Sequence, residues 1–159
     1  MKKLFTLELL EEHERINIYS VHQQGEEFSE FENFLNKFKE THTKDVGKIL
    51  YRLERIINDG VFDRHFRYAG KMRERVRELP ANIDTAKLRV YCLCISEQIL
   101  ILGNGGVKSS KTYNEDPQLN SYVEILQAID QKIKNKQKHG QLQISGRELI
   151  GSLEMTVEV

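Results

Sequence analysis

Between Ile99 and Lys111 the chain reads ILILGNGGVKSSK, an apolar run, three glycines, and then two lysines flanking two serines. Lysines that follow glycines suit a phosphate, because bare backbone lets an anion approach and ammonium groups neutralise it. A nucleotide-cradling loop needs G-x-x-x-x-G-K-[ST] opening straight into a helix. Here Val107 precedes Lys108, and the next helix start is at Pro117, after NEDP (114–117). That spacing argues against a nucleotide cradle. It leaves Lys108 and Lys111 as cations delivered past the end of a strand, in a loop where Lys108 is expected to carry no structural duty.

Upstream, LRVYC (88–92) sets Arg89 inside an apolar segment. A mid-strand arginine must reach a sheet edge, an ion-pair partner or a ligand, since an unpaired buried charge is costly. The plainer explanation is an ion pair with a neighbour such as Glu78. RERVREL (73–79) contributes Arg73 and Arg77, and Tyr91 and Tyr113 are the neighbouring phenols. No histidine lies between His65 and His139, which excludes imidazole acid–base chemistry from this region. A set rich in arginine and lysine can hold a phosphate and stabilise negative charge that develops on it.

The 159 residues suffice for one domain with its own core. MKKLFTLELLEEHE opens like an export signal, but Glu8 interrupts its apolar run and Glu11, Glu12 and Glu14 follow. A cytoplasmic protein without a membrane span is expected. Cys92 and Cys94 lie two apart in a β-prone segment and share a face, so free thiols are expected rather than a disulfide or a metal site. No cofactor is expected. Net charge is zero but unevenly spread, at −3 over residues 1–60, +5 over 61–113 and −2 over 114–159. A basic centre between acidic arms predicts one positively charged face, with a merely solvated surface as the plainer alternative.

Periodicity supplies the elements that must position these residues. RINIYSVH (15–22) reads as a strand. Phe28, Phe31, Phe34, Leu35 and Phe38 recur at helical spacing, as do Val46, Ile49, Leu50, Leu53, Ile56 and Ile57, which predicts two successive amphipathic helices. The period then changes to two. Strands are expected at 73–79, 87–95 and 98–103, the last two forming a tight hairpin. A third helix runs from Pro117 to about His139, and in the tail QLQISGRELIGSLEMTVEV (141–159) the alternating Leu153, Met155, Val157 and Val159 predict a last strand or hairpin. The expected class is α+β, with helices on one side of a mainly antiparallel sheet.

In this order the segments LRVYC, ILILGNGGVKSSKT (99–112) and PQLNSYVEILQA (117–128) resemble the RelE/HigB superfamily of bacterial toxins, including its phage-derived Gp49-like branch. The resemblance covers residues 15–130, leaving 1–14 as an N-terminal extension and 131–159 as a C-terminal extension packed on the same domain. It implies a two-helix N-terminal hairpin packed on the sheet, with an added C-terminal helix and strand. It also implies the toxin of a type II toxin–antitoxin pair, a metal-free endoribonuclease that cleaves mRNA, ribosome-dependent in many members. The implied partners are a cognate antitoxin of helix-turn-helix type, mRNA and the ribosome. Position by position, Arg89 matches the strand arginine, and Lys108 and Lys111 match the lysine-rich loop. These three are the catalytic residues the resemblance implies, with Arg73, Arg77, Tyr91 and Tyr113 as RNA contacts. The alternative is a non-catalytic relative that binds a protein, as the topoisomerase-inhibiting ParE branch does. GNGG stands where relatives often carry an aromatic residue or a histidine.

Overall fold

The computed structural model describes residues 1–69, 74–80, 87–108 and 116–158. Its organisation follows from side-chain alternation on the strand β5 (Leu88–Ser96). Leu88, Val90 and Cys92 point into one core, while Tyr91, Leu93 and Ile95 point into another on the opposite face. A strand buried on both sides needs cover on both sides. On the first face lie α1 (Glu30–Phe38) and α2 (Thr43–Asp59), which contribute Phe31, Phe34, Phe38, Val46, Ile49, Leu53 and Ile56. On the second lies α3 (Pro117–Lys138), with Leu119, Val123, Leu126, Ile129 and Ile133.

Local chemistry sets the helix starts. Ser29 and Glu32 form a reciprocal capping box at α1: the Glu32 amide donates to Ser29 Oγ and the Ser29 amide to Glu32 Oε1. Asp116 caps α3 by accepting from the amides of Gln118 and Leu119, and Pro117 occupies the first helical position.

The sheet has seven strands in the order β3-β4-β5-β6-β2-β1-β9. The remaining members are β1 (Lys2–Glu12), β2 (Asn17–Gln23), β3 (Arg67–Tyr68), β4 (Val76–Leu79), β6 (Ile99–Val107) and β9 (Glu154–Glu158). Every pairing is antiparallel except β2 with β6, which is parallel, so the sheet is mixed. A separate hairpin, β7 (Leu142–Ser145) and β8 (Glu148–Gly151), buries Leu142 and Leu149 in the α3-side core. Its two-residue turn begins at Gly146, whose φ of 57° suits a glycine at the first turn position.

The expected fold is overturned on three counts. The chain opens with two strands, so the α1–α2 pair is not an N-terminal helical hairpin. The sheet is mixed: its other pairings are antiparallel, but β2 lies parallel beside β6 at its centre. The helices occupy both faces, since α3 covers the side that α1 and α2 leave open. The hidden element was β1. Its Phe5 and Leu7 point inward, but Leu4, Leu9 and Leu10 also occupy the opposite phase or the strand's end and blur the period of two. The segments set apart as extensions supply β1, the end of α3, the β7–β8 hairpin and β9, and β9 pairs with β1. Among the described residues, no helix is long and apolar enough to cross a membrane.

Candidate functional site

The glycine run of residues 99–111 is strand, not loop: β6 continues through Gly103, Gly105 and Gly106 to Val107. Packing explains each glycine. A Cβ on Gly103 would stand 3.1 Å from both Leu126 of α3 and the Tyr91 carbonyl, and one on Gly106 would stand 3.2 Å from Leu119. At Gly105 it would collide with the Arg89 carbonyl and come within 2.7 Å of Val90 Cα. The pairing shifts by one residue here, from Val90 opposite Gly105 to Cys92 opposite Leu102, which makes a bulge in β6. These glycines let α3 and β5 approach β6 closely. They do not cradle a phosphate.

Beyond the bulge, Arg89 stands opposite Gly106, and the Lys108 amide donates to the Lys87 carbonyl at 2.8 Å, so the two side chains share the α3 face. The start of β5 is held by Asp45 of α2, whose carboxylate accepts from the amides of Lys87 and Leu88. Glu78 reaches the same face from β4, where it pairs with Tyr91. Lys108 Nζ donates to Glu78 Oε1 at 2.9 Å and Oε2 at 3.1 Å, and Arg89 Nε lies 3.4 Å from Oε1. Arg89 also donates through Nη1 to the Leu88 carbonyl at 3.0 Å. Glu78 is 1% exposed and Arg89 7%. The result is one buried carboxylate between two cations, with Glu78 from β4, Arg89 from β5 and Lys108 from the residue just past the end of β6.

The other expected residues separate. Tyr91 stands beside Glu78 but is fully buried in the α3-side core. Arg77 precedes Glu78 in β4 and therefore faces the other way. Its guanidinium lies 4.3 Å over the Tyr68 ring, donates to the carbonyls of Glu74 and Val76, and has Asp63 at 3.8 Å. Arg73, Lys111 and Tyr113 lie outside the described residues. The group absent from the expected site is Glu78, visible in the sequence only as a partner for Arg89. Lys108 is bonded into the fold and is not a structurally indifferent loop residue.

Chemically, a carboxylate flanked by an ammonium and a guanidinium offers a proton acceptor and two anion stabilisers within a few ångströms. No family model matches this chain, and neither a curated protein nor a solved structure matches it.

Proposed function

We propose that the chain is a metal-free endoribonuclease of the toxin type its sequence resembles, acting on mRNA in the cytoplasm and held in check by a cognate antitoxin. The observation that carries this reading is the meeting of Glu78, Arg89 and Lys108 on one face of the sheet. Glu78 takes the proton of a ribose 2′-OH as the 2′-oxygen bonds to the adjacent phosphorus. The bond to the 5′-oxygen breaks, Lys108 supplies that oxygen's proton, and a 2′,3′-cyclic phosphate remains. Arg89 offsets the extra negative charge of the pentacoordinate intermediate. The reaction requires RNA to enter between Glu78 and its cations.

The burial of Glu78 favours a second reading, a non-catalytic module in which the cluster only ties β4 to β5 and β6. Expression alone in a bacterial host separates the two. The first reading expects slowed growth and cut mRNA, with Lys108→Ala and Glu78→Gln lowering cleavage about 100-fold or more. Thermal unfolding must accompany each variant. Stranding the buried cations by Glu78→Ala is expected to cost about 3–5 kcal/mol, whereas Lys108→Ala keeps the Arg89 pair and should cost about 1–2 kcal/mol. Intact mRNA and normal growth under soluble wild-type expression would leave the binding module as the surviving function.

A further inference from the structure

At the opposite end of the sheet from Lys108, two connections and the last turn of α2 surround an open groove of about 580 Å³, lined by His13, Glu14, Arg15, Ile57, Asn58 and Gln98. This lies within the range of about 300–1,000 Å³ typical of small-molecule sites. Its walls are fixed to one another. In the β1–β2 connection the His13 amide donates to the Ile16 carbonyl at 3.0 Å, closing a tight turn. The Asn17 amide donates to the Gln98 carbonyl at 2.9 Å, tying that turn to the β5–β6 turn. The Val61 amide donates to Glu97 at 2.9 Å, tying the exit of α2 to the same place. His13 Nε2 lies 2.9 Å from Glu11, and Arg147, from the β7–β8 turn, donates to the His13 carbonyl. A groove braced on every side is already shaped before anything enters it.

The lining narrows the class of ligand. Among the described residues no three His, Cys, Asp or Glu side chains are grouped to hold a metal ion. Arg15 and Glu14 offset one another in charge, and the C-terminus of α2 adds partial negative charge, so the groove itself offers no net attraction to a phosphate, which stays outside it. A purely apolar ligand would meet only Ile57. What remains is a flat, uncharged group with donors and acceptors along its edge. The Asn58 and Gln98 carboxamides each offer both kinds of hydrogen-bonding atom, and His13 and Arg15 provide planar groups on which a ring can stack. We propose that this groove binds a nucleobase, presented by single-stranded RNA. The polymer's identity rests on the ribonuclease reading; the base-binding chemistry rests on the groove alone. Gln98 and Lys108 bracket the nine residues of β6, so about 30 Å of strand separates the groove from the Glu78 cluster. RNA held here would be anchored well away from the bond being cut.

Side-chain amide NMR of the whole chain tests this with the four nucleoside 5′-monophosphates and ribose 5-phosphate as probes. At least one nucleotide is expected to shift the Asn58 and Gln98 carboxamide signals while ribose 5-phosphate does not. The Asn58→Ala/Gln98→Ala variant, changed only at exposed side chains, should lose the response without a change in thermal unfolding. A single-stranded RNA of about ten nucleotides should bind more tightly than any mononucleotide and weaken about ten-fold in that variant. Silence towards all four nucleotides, or an equal response to ribose 5-phosphate, overturns the base site. Nucleotide binding with RNA affinity independent of the groove overturns RNA as the source and assigns a free nucleotide instead. Lys108→Ala keeps the two ideas apart: it removes cleavage if the ribonuclease reading holds, yet must leave the nucleotide-induced shifts in place.

Discussion

At the scale of single residues, the charged groups whose roles can be read are those caught between fixed partners. Glu78 is one, and His22 is another. The His22 ring has Glu8 Oε2 at 2.7 Å from Nδ1 and the Glu26 carbonyl at 2.8 Å from Nε2. Both neighbours are acceptors, so both ring nitrogens must donate, and only the imidazolium can do that. The Glu26 carbonyl, then the Glu8 carboxylate, raise the His22 pKa above 6.5; partial burial opposes them, and Glu32 of α1 adds a smaller attraction. A histidine with a raised folded pKa contributes stability that is complete below its unfolded pKa and disappears as pH climbs through the folded value. Thermal unfolding followed from about pH 6 to pH 8 should therefore show a falling midpoint. His22→Gln should flatten that fall. If the wild-type midpoint rises over this interval while the variant's stays level, the pairing acts in the opposite sense and the assignment is wrong.

At the scale of elements, the same residue type has opposite meanings in strand and helix. Gly105 sits at the β6 bulge with the β5 backbone pressed against it, whereas Gly47 lies exposed in α2 with nothing within 4 Å of where a Cβ would be. Gly105→Ala should cost about 3 kcal/mol or more, because backbone must move to admit the methyl. Gly47→Ala should stabilise by about 0.5–1 kcal/mol, through helix propensity and a less flexible unfolded chain. Denaturant unfolding of the two variants reads both signs in one experiment. This contrast also marks where sequence reading worked. The α1 and α2 stripes, apart from exposed Phe28 before α1 and exposed Leu50 in α2, and the two faces of β5 were legible because burial imposes a period on apolar side chains. The glycines of β6 looked like a loop because a residue without a side chain carries no period. The β7–β8 hairpin could be expected only as an alternative to a single last strand, because its strands are four residues each and expose most side chains, leaving little apolar pattern to read. Arg89 and Lys108 were recognised as cations in search of a partner, but that Glu78 collects both depends on the β4–β5–β6 register, which no short-range pattern encodes.

For the whole molecule, several cations in the positive block of residues 61–113 are held by carboxylates among the described residues. Arg75 pairs with Asp130, and Arg89 and Lys108 pair with Glu78, within the fold, while Arg64 pairs with Asp59 at the surface, so much of that charge has a carboxylate partner. Arg75, bonded to Asp130 at 2.5 and 2.9 Å, also ties the segment before β4 to α3 across the sheet's edge. The two cores are thus joined through one sheet and by bonds between layers. Phe34 in the α1–α2 core and Ile129 in the α3 core are both fully buried, on opposite faces of strands that neither can do without. Phe34→Ala should cost about 3–5 kcal/mol and Ile129→Ala about 2–5 kcal/mol. Because the central strands lose cover on one face when either core opens, each loss should lower one common transition, seen alike by far-ultraviolet circular dichroism and by near-ultraviolet tyrosine signals. The double variant should lose nearly the sum, since the side chains share no contact across the sheet. Two separate transitions, one sensitive to Phe34→Ala alone and the other to Ile129→Ala alone, would mean that the layers fold independently and that the sheet does not couple them.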